Sequence, residues 1–267
     1  MKLTECKGHW ALITGASSGL GREFAIQLAA IGLNLILVAR RKALLDALAA
    51  DLSHRHGTRV LVSPVDLAQP DAVPAIRSRL AAEGVRVRLL CNNAAFGRWG
   101  RFEETPADIY QQMLQVNISA MVALCHHFLP DLASFPTSAI INVSSPAALQ
   151  PVPYMAVYAA TKSFVDNFSQ ALYGEWMNRG ILVQTLLPGP TATEFDRIAG
   201  AYETVLKARG KPEQVVRDSL AHLEKSTPIV KSASGTYKQR LFSAVFPAKM
   251  VIATVARMFQ PPPVDKP

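Results

Sequence analysis

Tyr158 and Lys162 stand four positions apart in the stretch SSPAALQPVPYMAVYAATK, residues 144–162. On a helix that spacing sets a phenol and an ammonium one turn apart on the same face. A free tyrosine has a pKa of about 10, and a fixed positive charge beside it favours the phenolate, so the pair could trade a proton near neutral pH. Ser145 lies 13 residues before Tyr158, at the end of the apolar run AIINVSS, where a strand would deliver its hydroxyl to the same crevice. Ser144 is the adjacent alternative, and the count back from Tyr158 favours Ser145. The three side chains could hold a carbonyl or carbinol oxygen and exchange a proton with it. A lone Tyr-x-x-x-Lys also marks a solvated helix face, so the rest of the chain must decide.

Ahead of this stretch, a short apolar run over 10–14 leads into TGASSGLG (14–21) and then an apolar helical pattern over 20–31. The order is strand, turn, helix. Gly15, Gly19 and Gly21 would allow a tight turn, close approach of a pyrophosphate to the backbone, and close helix packing. A helix beginning there offers free amide groups and partial positive charge to a phosphate. Such a turn can also be only a turn. Further along come NNAA (92–95), Asn117 inside a helical pattern, and LPGPTAT (187–193).

In this order the motifs resemble those of the short-chain dehydrogenase/reductase family, closely over 8–193 and loosely beyond. The resemblance implies an α/β fold, a Rossmann-type, doubly wound, mostly parallel seven-stranded sheet flanked by helices in a single domain over 1–267. Residues 8–193 would be the cofactor and catalytic core, and 194–260 a substrate lid and C-terminal region. It implies catalytic roles for Ser145, Tyr158 and Lys162, with Asn117 holding a water behind the lysine to complete a proton path. As a plain reading, Asn117 is a bridging or capping amide.

The same resemblance implies a dinucleotide held by the loop residues Gly15, Ser17, Ser18, Gly19, Leu20 and Gly21. The second strand (34–39) ends at Ala39, where an NAD enzyme would carry an acid for the ribose 2′-hydroxyl. Arg40 and Arg41 follow instead, and two guanidiniums with no opposing carboxylate suit a 2′-phosphate, so NADPH/NADP+ is expected over NADH. Arg41 could equally just begin a solvated helix. Asp66 and Leu67 would meet the adenine, although Asp66 could be a turn residue. Asn93 would steady the central sheet beside the cofactor it helps to bind, and Ala94 would pass close to the ribose. Tyr158 and Lys162 would also touch the cofactor, with Pro188, Gly189 and Thr193 on the nicotinamide side. Ala95 stands where the family has glycine, which bears on the backbone torsion there.

Composition narrows the classes. At 267 residues, 49% hydrophobic and 18% charged, the chain suits one α/β domain and is not that of a disordered protein. Its three cysteines, Cys6, Cys91 and Cys125, form no paired spacing, which points to a reducing compartment and no structural metal. His126 and His127 are adjacent and diverge on a helix. No secretory leader pattern precedes the first strand and no apolar span of about 20 residues occurs, so a cytoplasmic protein is expected. The net charge of +8 is concentrated late: 201–267 holds eleven Lys or Arg against five acids. This basic region could meet an acidic carrier protein or an anionic membrane surface, or be only a soluble face. No interleaving of basic and aromatic residues suggests nucleic-acid binding.

The remaining elements are read as a third strand (59–63), a fourth (87–91), a long helix (106–135), a fifth strand (138–145), a helix from Tyr158 to about Arg179, a sixth strand (181–187) and a short last strand (228–230). Phe164, Phe168, Leu172 and Trp176 repeat every four residues and read as core, on a helix that family members often pair in a homodimer or homotetramer. Polar helical stretches around Phe195, Tyr202 and Leu206 suggest a lid. Residues 241–259 read as a packed C-terminal helix, with a membrane-interface helix as the alternative. The aromatic and apolar residues of 96–102 and 146–155 suggest a pocket for an apolar ketone. The expected activity is NADP(H)-dependent hydride transfer to or from a carbonyl or secondary alcohol on a small-molecule substrate; the rival is a nucleotide-binding redox sensor without turnover.

Overall fold

The computed structural model describes residues 1–200, 209–232, 241–243 and 245–261. The stretches around Tyr202 and Leu206 and the last six residues lie outside these. Seven strands form one sheet: β1 (Trp10–Thr14), β2 (Asn34–Ala39), β3 (Val60–Pro64), β4 (Val87–Asn92), β5 (Ser138–Val143), β6 (Ile181–Leu187) and β7 (Ile229–Lys231). They run in the order β3-β2-β1-β4-β5-β6-β7 and every pairing is parallel. The sheet is therefore wholly parallel, and the chain reverses its direction of travel between β1 and β4. Strand boundaries differ from the sequence reading by a residue or two, except that β5 stops at Val143 and leaves Ser144 and Ser145 on the loop beyond it.

The helices are α1 (Gly19–Ile31), α2 (Lys42–His56), α3 (Ala72–Ala82), α4 (Ala107–Leu114), α5 (Ala120–Ala133), α6 (Ala156–Trp176), α7 (Phe195–Ala199), α8 (Pro212–Glu224) and α9 (Ala248–Phe259). Successive strand side chains point to opposite faces, so both faces of a parallel sheet must be apolar and covered. One face is seen in Ile13, Leu35, Leu37 and Ile141, packed with Phe24 and Leu28 of α1 and Val216 and Leu220 of α8. The other carries Leu12, Ile36, Val38 and Ile140, packed with Ile76 of α3, Phe128 of α5 and Trp176 of α6. A third apolar cluster joins Trp99, Met155 and Tyr158 to Val251 and Val255 of α9, away from the sheet.

Two sequence expectations are corrected. The long helix over 106–135 is divided: a π-helical turn at Gln115–Ser119 separates α4 from α5, inserting an extra residue around Asn117. The aromatic repeat on α6 is core only in its second half. Leu172 and Trp176 are buried, while Phe164 is 38% exposed and stacks on Phe168 at 5.6 Å between ring centroids.

Candidate active site

Thr14, Ala39, Asn92, Val143 and Leu187 end their strands on the same edge of the sheet. Ligands of open α/β sheets bind outside that edge, where the strand order reverses. A cleft of about 920 Å³ lies there. One half is lined by the glycine loop, Arg40, Arg41, Asp66, Leu67 and Ala94. The other is lined by Phe96, Trp99, Met155, Phe195, Phe242 and Phe259. Ser145, Tyr158 and Lys162 line the same cleft, as do Asn93, Pro188, Gly189 and Thr193.

Ser145 has an extended backbone after β5 and caps the short 3-10 turn Pro146–Leu149, its hydroxyl accepting the Ala147 N–H at 3.1 Å. It also lies near enough to Tyr158 to favour the phenolate against the effect of burial. Ser144, the alternative, is committed elsewhere: its hydroxyl donates to the Lys162 carbonyl at 2.9 Å. Tyr158 and Lys162 lie in the first turns of α6 and are both buried. Lys162 does not reach the phenol; its Nζ donates to the Val143 carbonyl at 2.7 Å and lies 5.8 Å from the Tyr158 ring centre.

Electrostatics follow from this geometry and differ from the sequence expectation. Burial pushes Tyr158 up to about 12, with Ser145 opposing and the Asp196 charge adding. Burial pulls the Lys162 ammonium down to about 7. In this arrangement desolvation outweighs any mutual attraction, so the phenol is a firmly protonated acid.

Gly21 and Asn117 do not line the cleft. Gly21 lies under the loop, where a side chain would collide with the Gly15 carbonyl and the Asn93 amide. Asn117 is 2% exposed and its amide is fully engaged. It accepts the Phe96 N–H at 3.1 Å and donates to the Phe96 carbonyl at 2.9 Å and to Thr161 Oγ1 at 3.1 Å. The bridging reading thus describes the side chain. Beside it lies a small cavity of about 10 Å³, lined by Asn117, Lys162, Thr14 and Asn92, which is the lower limit for one water.

Asn93 braces the glycine loop, donating from Nδ2 to the Thr14 carbonyl at 2.9 Å. Asp66 accepts the Ala68 N–H at 3.0 Å as a turn residue and also lines the cleft. Ala95 has no left-handed torsion, since the non-glycine residues with positive φ among those described are Tyr154 and Ser226. The replacement of glycine there carries no backbone strain.

Four contacts go beyond the sequence reading, which places Phe195 in a lid and 241–259 in a packed C-terminal helix. Gly97 packs on Tyr158: a Cβ there would come within 2.9 Å of Phe195 and 3.2 Å of the Tyr158 ring. Phe195 covers Tyr158 at 5.1 Å between ring centres. Asp196, beside them, pairs with Arg209 at 3.0 Å. Finally α9 walls the apolar half, fastened by Trp99 Nε1 donating to the Phe259 carbonyl at 2.8 Å.

Arg41 is more than a helix start. Its Nε and Nη2 lie 3.1 and 3.0 Å from Ser17 Oγ, and its Nη1 pairs with Glu194 at 2.8 Å. Arg41 and Ser18 hold the Glu194 carboxyl below its ordinary range. An anion is thus already drawn to the guanidinium and to the residue capping α1, so the donors present suit a phosphate-bearing dinucleotide.

Comparisons with known proteins agree with the architecture. A family model described as short chain dehydrogenase matches residues 9–203. The very-long-chain 3-oxoacyl-CoA reductase of Homo sapiens is 32% identical over 195 residues, 72% of this chain and 62% of that protein, so the match spans less than two thirds of the relative. The 7beta-hydroxysteroid dehydrogenase of Collinsella aerofaciens is 29% identical over 234 residues, 86% of this chain and 88% of that one. A solved structure of a short-chain dehydrogenase from Sphingobium yanoikuyae in complex with NADPH superposes with a TM-score of 0.80 at 32% identity, covering 90% of this chain and 97% of the other.

Proposed function

The chain belongs to the short-chain dehydrogenase family, and from that premise we propose that it is an NADP(H)-dependent oxidoreductase acting on the carbonyl or secondary alcohol of an apolar small molecule. The observation that carries the reading is the convergence of Ser145, Tyr158 and Lys162 in one cleft, between an anion-attracting half and an apolar half. When bound, the reduced nicotinamide supplies the hydride.

The chain's residues do the rest. Tyr158, protonated well beyond neutral pH, donates its proton to the carbonyl oxygen, and Ser145 holds that oxygen by hydrogen bonding. Lys162, anchored on Val143, borders both the cleft and the small cavity beside Asn117, where a single water would connect it onward. Ser17, Ser18 and the α1 N-terminus would hold the pyrophosphate, and Arg40 and Arg41 the 2′-phosphate. Asp66 and Leu67 would meet the adenine, Ala94 the ribose, and Pro188, Gly189 and Thr193 the nicotinamide side.

The apolar wall of Phe96, Trp99, Met155, Phe242 and Phe259 suits a large hydrophobic ketone, of the 3-oxoacyl or steroid-like kind. Asp196 would disfavour a carboxylate close to the reacting carbonyl. The test is NADPH consumption across a panel of 3-oxoacyl, steroid and bulky aryl ketones. Turnover of at least one class is expected; NADPH binding with silence across the panel would favour a redox sensor and overturn the enzyme reading.

The unpaired and buried Cys6, Cys91 and Cys125 suit a reducing, cytoplasmic compartment. Among the described residues no helix is long and apolar enough to cross a membrane. Exposed Leu241, Val245, Phe246, Met250 and Met258, on a basic segment, support docking to an acyl carrier or lipid surface. The exposed Phe164–Phe168 stack on α6 supports a homodimer or homotetramer.

A further inference from the structure

Glu194 is an anion placed on the site of another anion. Its carboxylate reaches Arg41 at 2.8 Å and sits beside Ser18, the residue at the N-terminal cap of α1. Arg41 is at the same time fixed by two hydrogen bonds to Ser17. The backbone is equally close. Gly19, with φ of +53°, leaves no room for a side chain, because a Cβ would lie 3.0 Å from Thr193 Cγ2. Thr193 therefore packs directly on the glycine loop, and Glu194 follows it along the same cleft.

We propose that Glu194 is a cofactor-specificity residue, an internal competitor for Arg41 that a bound 2′-phosphate must displace. Arg41 has one guanidinium, and it faces either the carboxylate or the phosphate. The phosphate carries the greater charge and takes a guanidinium in bidentate fashion, so it wins the exchange. A ribose hydroxyl is neutral and offers Arg41 no substitute for Glu194. The exchange also has a structural consequence. Glu194 immediately precedes α7, whose first residue, Phe195, covers Tyr158 at 5.1 Å between ring centres. Releasing the carboxylate releases the hold on the helix above the phenol, so the 2′ position of the cofactor is read at the substrate end of the cleft.

The partners are exposed by 41% and 37%, so the pair is a weak latch, sized to be opened by a ligand. The inference rests on the NADP(H) reading of the cleft. Its test is the dissociation constants of NADP+ and NAD+, measured by calorimetry on the full chain as wild type, E194Q, R41A and the double variant. E194Q is expected to tighten NADP+ about two- to fivefold and NAD+ distinctly less, with the gain disappearing in the R41A background. No tightening, equal tightening of both nucleotides, or a gain that persists without Arg41 would overturn the proposal. Tighter wild-type binding of NAD+ than NADP+ would overturn the cofactor reading instead, since Glu194 is judged only by the change its own replacement makes.

Discussion

Lys162 Nζ donates its hydrogen bond to the Val143 carbonyl at 2.7 Å, tying the lysine to the last residue of β5 instead of to the phenol one turn away. The lysine is thus held at the sheet edge, and the tyrosine is left to Ser145. Burial then acts on the two groups in opposite senses, raising the phenol and lowering the ammonium.

Tyr158 should be the proton donor, and removing only its hydroxyl tests this. Tyr158→Phe should lower kcat/KM for ketone reduction by about 10²–10⁴-fold while leaving NADP+ affinity within about twofold. Ser145→Ala should lower it by about 10²–10³-fold. Rates near wild type for the phenylalanine variant would refute the assignment.

The charge on Lys162 should be visible in stability. Its folded pKa of about 7 lies below the ordinary 10.5, so between those values the unfolded chain carries a proton the folded chain lacks. Stability from this group therefore rises with pH across that window, and below about 7 the cost of burying the ammonium is fully felt. Lys162→Met removes the dependence. Thermal melting without cofactor should favour the variant most at or below pH 7, and the advantage should shrink toward pH 10. An offset flat in pH would contradict the burial account.

Asn117 should matter first as a brace. Asn117→Ala leaves the Phe96 N–H and C=O without the partners they now have inside the fold, which should cost about 2–3 kcal/mol in urea unfolding. A loss below about 0.5 kcal/mol would show that water replaces the amide without penalty.

Much of the site was legible because it is written in local geometry. Four positions on a helix place Tyr158 and Lys162 on one face in almost any tertiary setting, and the apolar run before Ser145 must end at the sheet edge. Gly21 likewise reflects a contact within one strand-turn-helix unit, against the Gly15 carbonyl. The π-turn was not legible, because nothing in the residues 115–119 forbids a regular helix; the turn is bound up with Asn117 bridging inward to Phe96 and Thr161.

By itself the sequence determined the strands and helices near the site, the order of the motifs along them, and the spacing of the serine, tyrosine and lysine; the doubly wound sheet was what the family resemblance implied. Periodicity, caps and glycine torsions act over a few residues, and a parallel sheet then leaves little choice of topology. Only the tertiary structure decided which acid faces Arg41, what covers the Tyr158 ring, and that Trp99 holds α9 against the cleft. Those contacts join segments far apart in the chain through long side chains and loops, whose meeting depends on the packed position of every element between them.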